Sequence, residues 1–374
     1  MQILEAQHLN SLVEVLRRRG YAVVAPTLRD GVIVLDEITT AEELPRGWTD
    51  EQDPAHYELA KRNDGAYFGY AVGPHSWKQF LYPPRLKLFS ALKAGKGFEV
   101  HAPKPNGIPP RAFLGVRPCE LRAIQLQDQV FRTGPSLDES YDRRRAESLI
   151  VCVNCVQAGS NCFCTSMGLG PRAVKGFDLG LTEIIDEGVH QFVVQTDSAL
   201  GKEILAELPH RQAEKGEIDR AEKMTTAAGA AMGRSVETER LPQVLNENFD
   251  NPHWDDIAKR CLACANCTMV CPTCFCSTME DLTSLTGGQA ERWRRWDSCF
   301  TSDFTKIAGG NIRMSTRTRY RQWLMHKFAH WVDQFGSFGC VGCGRCITWC
   351  PVGIDVTVEL RAIRERPVVK SPQH

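Results

Sequence analysis

Two cysteine runs of identical spacing constrain this chain more than anything else in it. Cys261-Leu-Ala-Cys264-Ala-Asn-Cys267-Thr-Met-Val-Cys271-Pro272 and Cys340-Val-Gly-Cys343-Gly-Arg-Cys346-Ile-Thr-Trp-Cys350-Pro351 both read C-x2-C-x2-C-x3-C-P. That is the bacterial ferredoxin run, in which three closely spaced thiolates grip one [4Fe-4S] cubane and the fourth crosses to the other. The pattern therefore predicts iron bound as two cubanes. One sits on Cys261, Cys264, Cys267 and Cys350, the other on Cys340, Cys343, Cys346 and Cys271. The proline after each fourth cysteine cannot continue a helical turn, so it fixes where the chain leaves the site. Gly342 and Gly344 are expected to let backbone N–H groups approach the sulfurs, where the first run has Ala263 and Ala265, so the two clusters should differ in potential. Zinc is the competing reading, but it wants separated pairs of ligands and has no use for four cysteines in one short run.

Sixteen cysteines in 374 residues suit either a disulfide scaffold or a metalloprotein, and the ferredoxin spacing favours the second. The first twenty residues pattern as an amphipathic helix over 3–19 rather than a secretory signal. No stretch approaches the length of an apolar membrane span. The expectation is a cytoplasmic protein with no membrane association. Lys plus Arg balance Asp plus Glu at 45 each, which gives no steer toward nucleic acid.

The fold class expected is α+β. An N-terminal α/β domain spans 1–245, and a mainly helical, ferredoxin-like dicluster domain spans 246–374 with a long helical insert at about 280–335. Tyr21 to Ala25, Gly31 to Leu35, Ala66 to Val72, Arg111 to Val116, Ser148 to Val153 and Val189 to Thr196 read as strands. Residues 85–93 and Ser198 to Leu208 read as helices. The stretch from His210 to about Asn251 reads as a polar helical connector. No dinucleotide fingerprint or phosphate loop is visible.

Four further cysteines fall near strand ends in the first domain: Cys119, Cys155, Cys162 and Cys164. Residues two apart in extended chain project to one side, so Cys162 and Cys164 can face one object. If the strand before Cys119 lies beside the one ending near Val153, all four converge at one sheet edge. They are a candidate third [4Fe-4S] site, with a structural zinc or plain buried thiols as the alternatives. Cys152 reads as core. Cys274, Cys276 and Cys299 remain unassigned, and with Cys152 they make a fourth cluster only conceivable. The insert between the runs, 68 residues long, carries Glu291-Arg-Trp-Arg-Arg-Trp296 and Arg317-Thr-Arg-Tyr-Arg321. It reads as a helical packing and docking element whose cations offset anionic clusters, ahead of a nucleic-acid-binding reading.

Gly-Val-Arg-Pro-Cys-Glu-Leu-Arg-Ala-Ile (115–124), Val-Asn-Cys (153–155), Cys-Phe-Cys-Thr-Ser-Met-Gly (162–168), Trp-Asp-Ser-Cys (296–299), Arg-Tyr-Arg-Gln-Trp-Leu-Met-His-Lys-Phe (319–328) and Cys-Val-Gly-Cys-Gly-Arg-Cys (340–346) together resemble the beta subunit of cytoplasmic NAD(P)-linked [NiFe] hydrogenases, or sulfhydrogenases. The A subunit of anaerobic sulfite reductase is similar. The resemblance runs from about Phe68 to Val356. It implies a non-catalytic electron-transfer subunit between a flavin-containing, NAD(P)-binding diaphorase subunit and the small and large subunits of a hydrogenase module. The alternatives are the electron-transfer subunit of a sulfite reductase, or a subunit that itself reduces sulfur or polysulfide.

Overall fold

The computed structural model describes residues 1–102, 109–186 and 188–366. The chain is α+β. Its N-terminal part is built on an eight-stranded mixed sheet, in the order Arg211–Gln212, Gln2–Glu5, Val189–Thr196, Leu179–Asp186, Leu149–Val153, Arg111–Val116, Ala22–Arg29, Val32–Ile38. The four strands from Leu179–Asp186 to Ala22–Arg29 run parallel, and the outer pairings are antiparallel.

Alternation along these strands buries both faces, as a parallel sheet requires. Val23, Ala25, Ala112, Leu114, Val151 and Val153 face one core, where the helix Leu9–Arg18 lays down Leu9, Leu12, Val13 and Leu16. Val24, Phe113, Ile150 and Cys152 face the other, against Leu121 and Ile124 of the helix Pro118–Phe131. Cys152 is fully buried in that core.

Three local expectations are corrected. Residues 2–5 are not helical. Gln2–Glu5 is a strand paired with Val189–Thr196, and the helix starts at Leu9. Residues 66–72 join no sheet, because side chains take up their backbone groups. Glu183 accepts from Tyr67 N (2.7 Å) and Phe68 N (2.9 Å), Asp50 accepts from Ala71 N (2.6 Å), and Arg117 donates to Phe68 O and Tyr70 O, both at 2.8 Å. Residues 85–93 belong to the strand Arg85–Ala94, not a helix.

The insert is the largest correction. Its first part is a hairpin, Ser277–Thr283 with Gln289–Trp296, which joins Arg85–Ala94 and Gly97–His101 in a four-stranded antiparallel sheet. The strand-favouring Trp293 and Trp296, with Trp293 opposite Lys87 and Glu280, and the Gly287-Gly288 turn favour this arrangement over a helix. Only from Thr316 is the insert continuously helical. Thr316–Met325 widens to a π turn over His326–His330 and continues as Trp331–Phe335. Several of its arginines are held within the chain: Arg292 makes two 2.7 Å bonds to Asp281, Arg294 pairs with Asp138, and Arg319 donates to Phe300 O at 2.9 Å.

Candidate iron–sulfur centres

Each ferredoxin run folds the same way. A thiol is met by the backbone N–H two residues on: Ala263 N to Cys261 Sγ and Gly342 N to Cys340 Sγ, both at 3.4 Å. A left-handed residue then starts a one-turn helix, Ala265 before Asn266–Met269 and Gly344 before Arg345–Thr348. The positive φ values of Ala263 and Ala265 match those of Gly342 and Gly344. Glycine is therefore not required for the N–H···S bond, contrary to the sequence expectation. Its role is closeness. A Cβ on Gly342 would stand 2.6 Å from the Phe163 carbonyl, and one on Gly344 would stand 2.6 Å from Asn161 O. The second run packs backbone to backbone on the Asn161 to Cys164 loop, and Phe163 N donates to Gly342 O at 2.8 Å.

The two runs enclose two cavities. The first is lined by Cys261, Cys264, Cys267, Cys346 and Cys350, with Phe300, Tyr320 and Trp323 as apolar walls. The second is lined by Cys271, Cys340, Cys343 and Cys346, with Phe328 and Lys327. Trp323 borders both. Cys350 thus lies with the first run's thiols and Cys271 with those of the second run, while Cys346 lines both.

Cys119 lies in the first turn of the helix Pro118–Phe131, and Cys155 follows the neighbouring parallel strand Leu149–Val153, so both leave the same edge of the sheet. Cys164 opens the short helix Cys164–Met167. Cys119 and Cys162 both lie within electrostatic reach of Cys155 and Cys164. Cys119, Cys164 and Cys343 share one apolar cluster, which sets this group against the second run.

A cubane fits these surroundings. Buried donors on the wall of the first cavity, Tyr320 Oη and Trp323 Nε1, have no hydrogen-bond partner among the described residues, and such orphans mark a missing acceptor. Among the described residues no three His, Cys, Asp or Glu side chains close on a point tightly enough for a single metal ion. The thiols instead ring cavities. Burial, with neighbouring thiols, pushes Cys164 up to about 12, and burial pushes Cys340 up to about 12 despite the Lys327 ammonium. These two thiols therefore need bound metal to hold them ionised, whereas hydrogen bonding with Cys274, and then the Lys327 ammonium, holds the Cys271 thiol well below its ordinary range.

Sequence reasoning missed the cations around the thiols. Arg345 is 2 % exposed. It donates to Gly73 O and His75 O, both at 2.8 Å, and pairs with Glu120, which also accepts from Trp77 Nε1 at 3.0 Å. The buried Arg117 guanidinium faces Cys155. The Lys327 ammonium donates to Cys271 Sγ at 3.2 Å. Arg345 directly precedes Cys346 and Arg117 lies two residues before Cys119, which is the one available signal.

A 4Fe-4S dicluster domain family model matches residues 260–354. The chain is 32% identical over 291 residues to sulfhydrogenase 2 subunit beta of Pyrococcus furiosus, covering 77% of this chain and 82% of that protein. No solved structure matches. With two thiol-ringed cavities inside the matched segment and this likeness along most of its length, the chain belongs to the family of sulfhydrogenase beta subunits, iron–sulfur electron-transfer subunits of multisubunit complexes.

Proposed function

We propose that this chain relays electrons, one at a time, between a flavin-bearing, NAD(P)-binding subunit and the small and large subunits of a [NiFe] hydrogenase. In this reading it holds [4Fe-4S] clusters on Cys261, Cys264, Cys267 and Cys350, on Cys271, Cys340, Cys343 and Cys346, and on Cys119, Cys155, Cys162 and Cys164. Bound cubanes supply one-electron redox chemistry; the protein supplies their position and surroundings. The observation that carries the reading is the contiguity of the three thiol groups. Trp323 is shared by the first two, and the apolar cluster of Cys119, Cys164 and Cys343 joins the second to the third. Phe300, Tyr320, Trp323 and Phe328 exclude water, and the buried Arg117, Lys327 and Arg345 offset thiolate charge. We also read the chain as two units meeting near residues 245–246, with the sheet unit carrying the third site.

Iron and acid-labile sulfide on the anaerobically purified complex test this. Cys119→Ser and Cys164→Ser should each lower the iron content by about four per chain. Unchanged iron would confine the wire to the two ferredoxin runs. Cys350→Ser should alter the signal that Cys261→Ser also alters; if it alters only the signal sensitive to Cys340→Ser, the crossed assignment is wrong.

A further inference from the structure

Thr273-Cys-Phe-Cys-Ser277 and Asn161-Cys-Phe-Cys-Thr165 are built alike. In both, the central phenylalanine is packed inward. Phe163 is fully buried, and Phe275 meets Phe131, His326 and Trp331 with ring centroids 5.7, 6.4 and 6.2 Å away. In the second motif Cys274 and Cys276 flank that phenylalanine just before the strand Ser277–Thr283 begins. For the second motif the pairing Ser277↔Trp296 closes the hairpin just beyond Cys276 and just before Cys299, and Asp297 N donates to Cys276 O at 2.9 Å. Cys299 meets the Cys276 thiol through both its side chain and its backbone N–H, and Cys274 lies within electrostatic reach of Cys276. Three thiols outside the sites above thus face one place.

Charge supplies the second, independent observation. Lys78 and Lys327 are 4 % and 6 % exposed, and both ammoniums point to this place. Lys78 Nζ donates to Cys271 O at 3.0 Å and Cys274 O at 3.1 Å, and lies 3.9 Å from the Trp296 ring centroid. Lys327 Nζ reaches Thr273 Oγ1 at 2.9 Å as well as Cys271 Sγ. Among the described residues neither is paired with a carboxylate; the acidic groups around them are thiols, those of Cys271, Cys274 and Cys276 for Lys78 and of Cys271, Cys274 and Cys340 for Lys327. Lys78 Nζ thus stands between the Cys271 and Cys274 carbonyls, where the second run's site adjoins these three thiols.

We propose that Cys274, Cys276 and Cys299 hold a fourth iron–sulfur cluster on three thiolates, next to Cys271 of the second run's site and backed by Lys78 and Lys327. This rests on the electron-relay reading and extends it by one site. Cys152, in the sheet core, takes no part.

The test uses the anaerobically purified complex and does not need a variant to begin. About sixteen irons and as many sulfides per chain are expected, against about twelve if only the three earlier sites are filled. Cys276→Ser and Cys299→Ser should then each lower iron by about four, while the paramagnetic signal sensitive to Cys261→Ser survives as proof of folding; Cys152→Ser should lower it by none. Twelve irons in the unmodified protein, unmoved by Cys276→Ser but reduced by Cys119→Ser, overturn the fourth site and leave the relay intact. Zero iron loss in Cys276→Ser, together with an intact mass of the unmodified protein lighter by two hydrogens that reductant restores and that Cys276→Ser abolishes, would instead make Cys276 and Cys299 a disulfide and also overturn it.

Discussion

Ala263 and Ala265 tolerate the left-handed backbone that Gly342 and Gly344 adopt, which isolates what the glycines are for. At the first run only the modest cost of a left-handed alanine is paid. At the second, any side chain would strike the backbone of Asn161 or Phe163. Gly344→Ala should therefore destabilise by roughly 1–3 kcal/mol, as overpacking does, and should loosen the Cys162 to Cys164 loop. Ala265→Gly should change stability by less than about 1 kcal/mol in either direction. Denaturation midpoints of the two variants check the contrast, and equal losses would refute it. His326 gives a pH prediction. Burial, and then the neighbouring Lys327 ammonium, lowers its pKa to about 4 from an ordinary 6.5. The unfolded chain takes up that proton as pH falls below 6.5 while the folded chain does not. The stability is complete above 6.5 and is lost progressively toward pH 4, by roughly 3 kcal/mol at most. His326→Gln should flatten that part of the stability profile; an unchanged slope would place the titration elsewhere. The ligand spacing was legible at this scale because it is local. The Glu120–Arg345 pair was not, because its members lie 225 residues apart.

The elements that hold the sites are set by such distant pairs. The helix Pro118–Phe131 carries both Cys119 and Glu120, and the second run carries Arg345, so one buried ion pair fixes the third group's helix against the second run's turn. Glu120→Ala leaves Arg345 charged, buried and short of a partner, which typically costs about 3–5 kcal/mol. Glu120→Gln keeps an acceptor and should cost less. Loss of iron from the Cys119 group before the Cys261 group on mild denaturation would support this linkage, whereas simultaneous loss would refute it. The parallel strands were readable from their continuous apolar runs. The strand Arg85–Ala94 was misread although Lys87 separates Leu86 from Leu88, because only Gly97–His101 pairs with it locally and its other partner, Gln289–Trp296, lies about two hundred residues away. Residues 66–72 were misread for the opposite reason: their composition suits a strand, but Glu183, Asp50 and Arg117 had already claimed the hydrogen bonds.

Across the whole molecule, the sheet and the cysteine-bearing regions are stabilised in different ways. The sheet has a core of its own, with Leu114, Val151, Leu179 and Phe192 at 0 to 1 % exposure against the helix Leu9–Arg18. The cysteine-bearing regions bury Lys78, Arg117, Lys327 and Arg345, of which only Arg345 has a carboxylate in ion-pair contact among the described residues. Cys164 and Cys340, raised by burial, do not ionise to balance them, and although Cys271 is lowered beside Lys327, bound clusters that hold all the ligands as thiolates supply the larger share of the balancing charge. Metal binding is then folding free energy for that part of the chain, because unfolded segments have no preformed site. Anaerobic removal of iron by a chelator should consequently unfold locally. Amide exchange should rise by orders of magnitude across 261–271 and 340–350 and in the loop 154–168, while the strands Arg111–Val116, Leu149–Val153 and Leu179–Asp186 keep their protection. Uniform loss of protection would mean that the sheet depends on the clusters too. Protection unchanged throughout would mean that the thiol cavities are rigid without them, and that the buried lysines and arginines are balanced by something other than iron–sulfur charge.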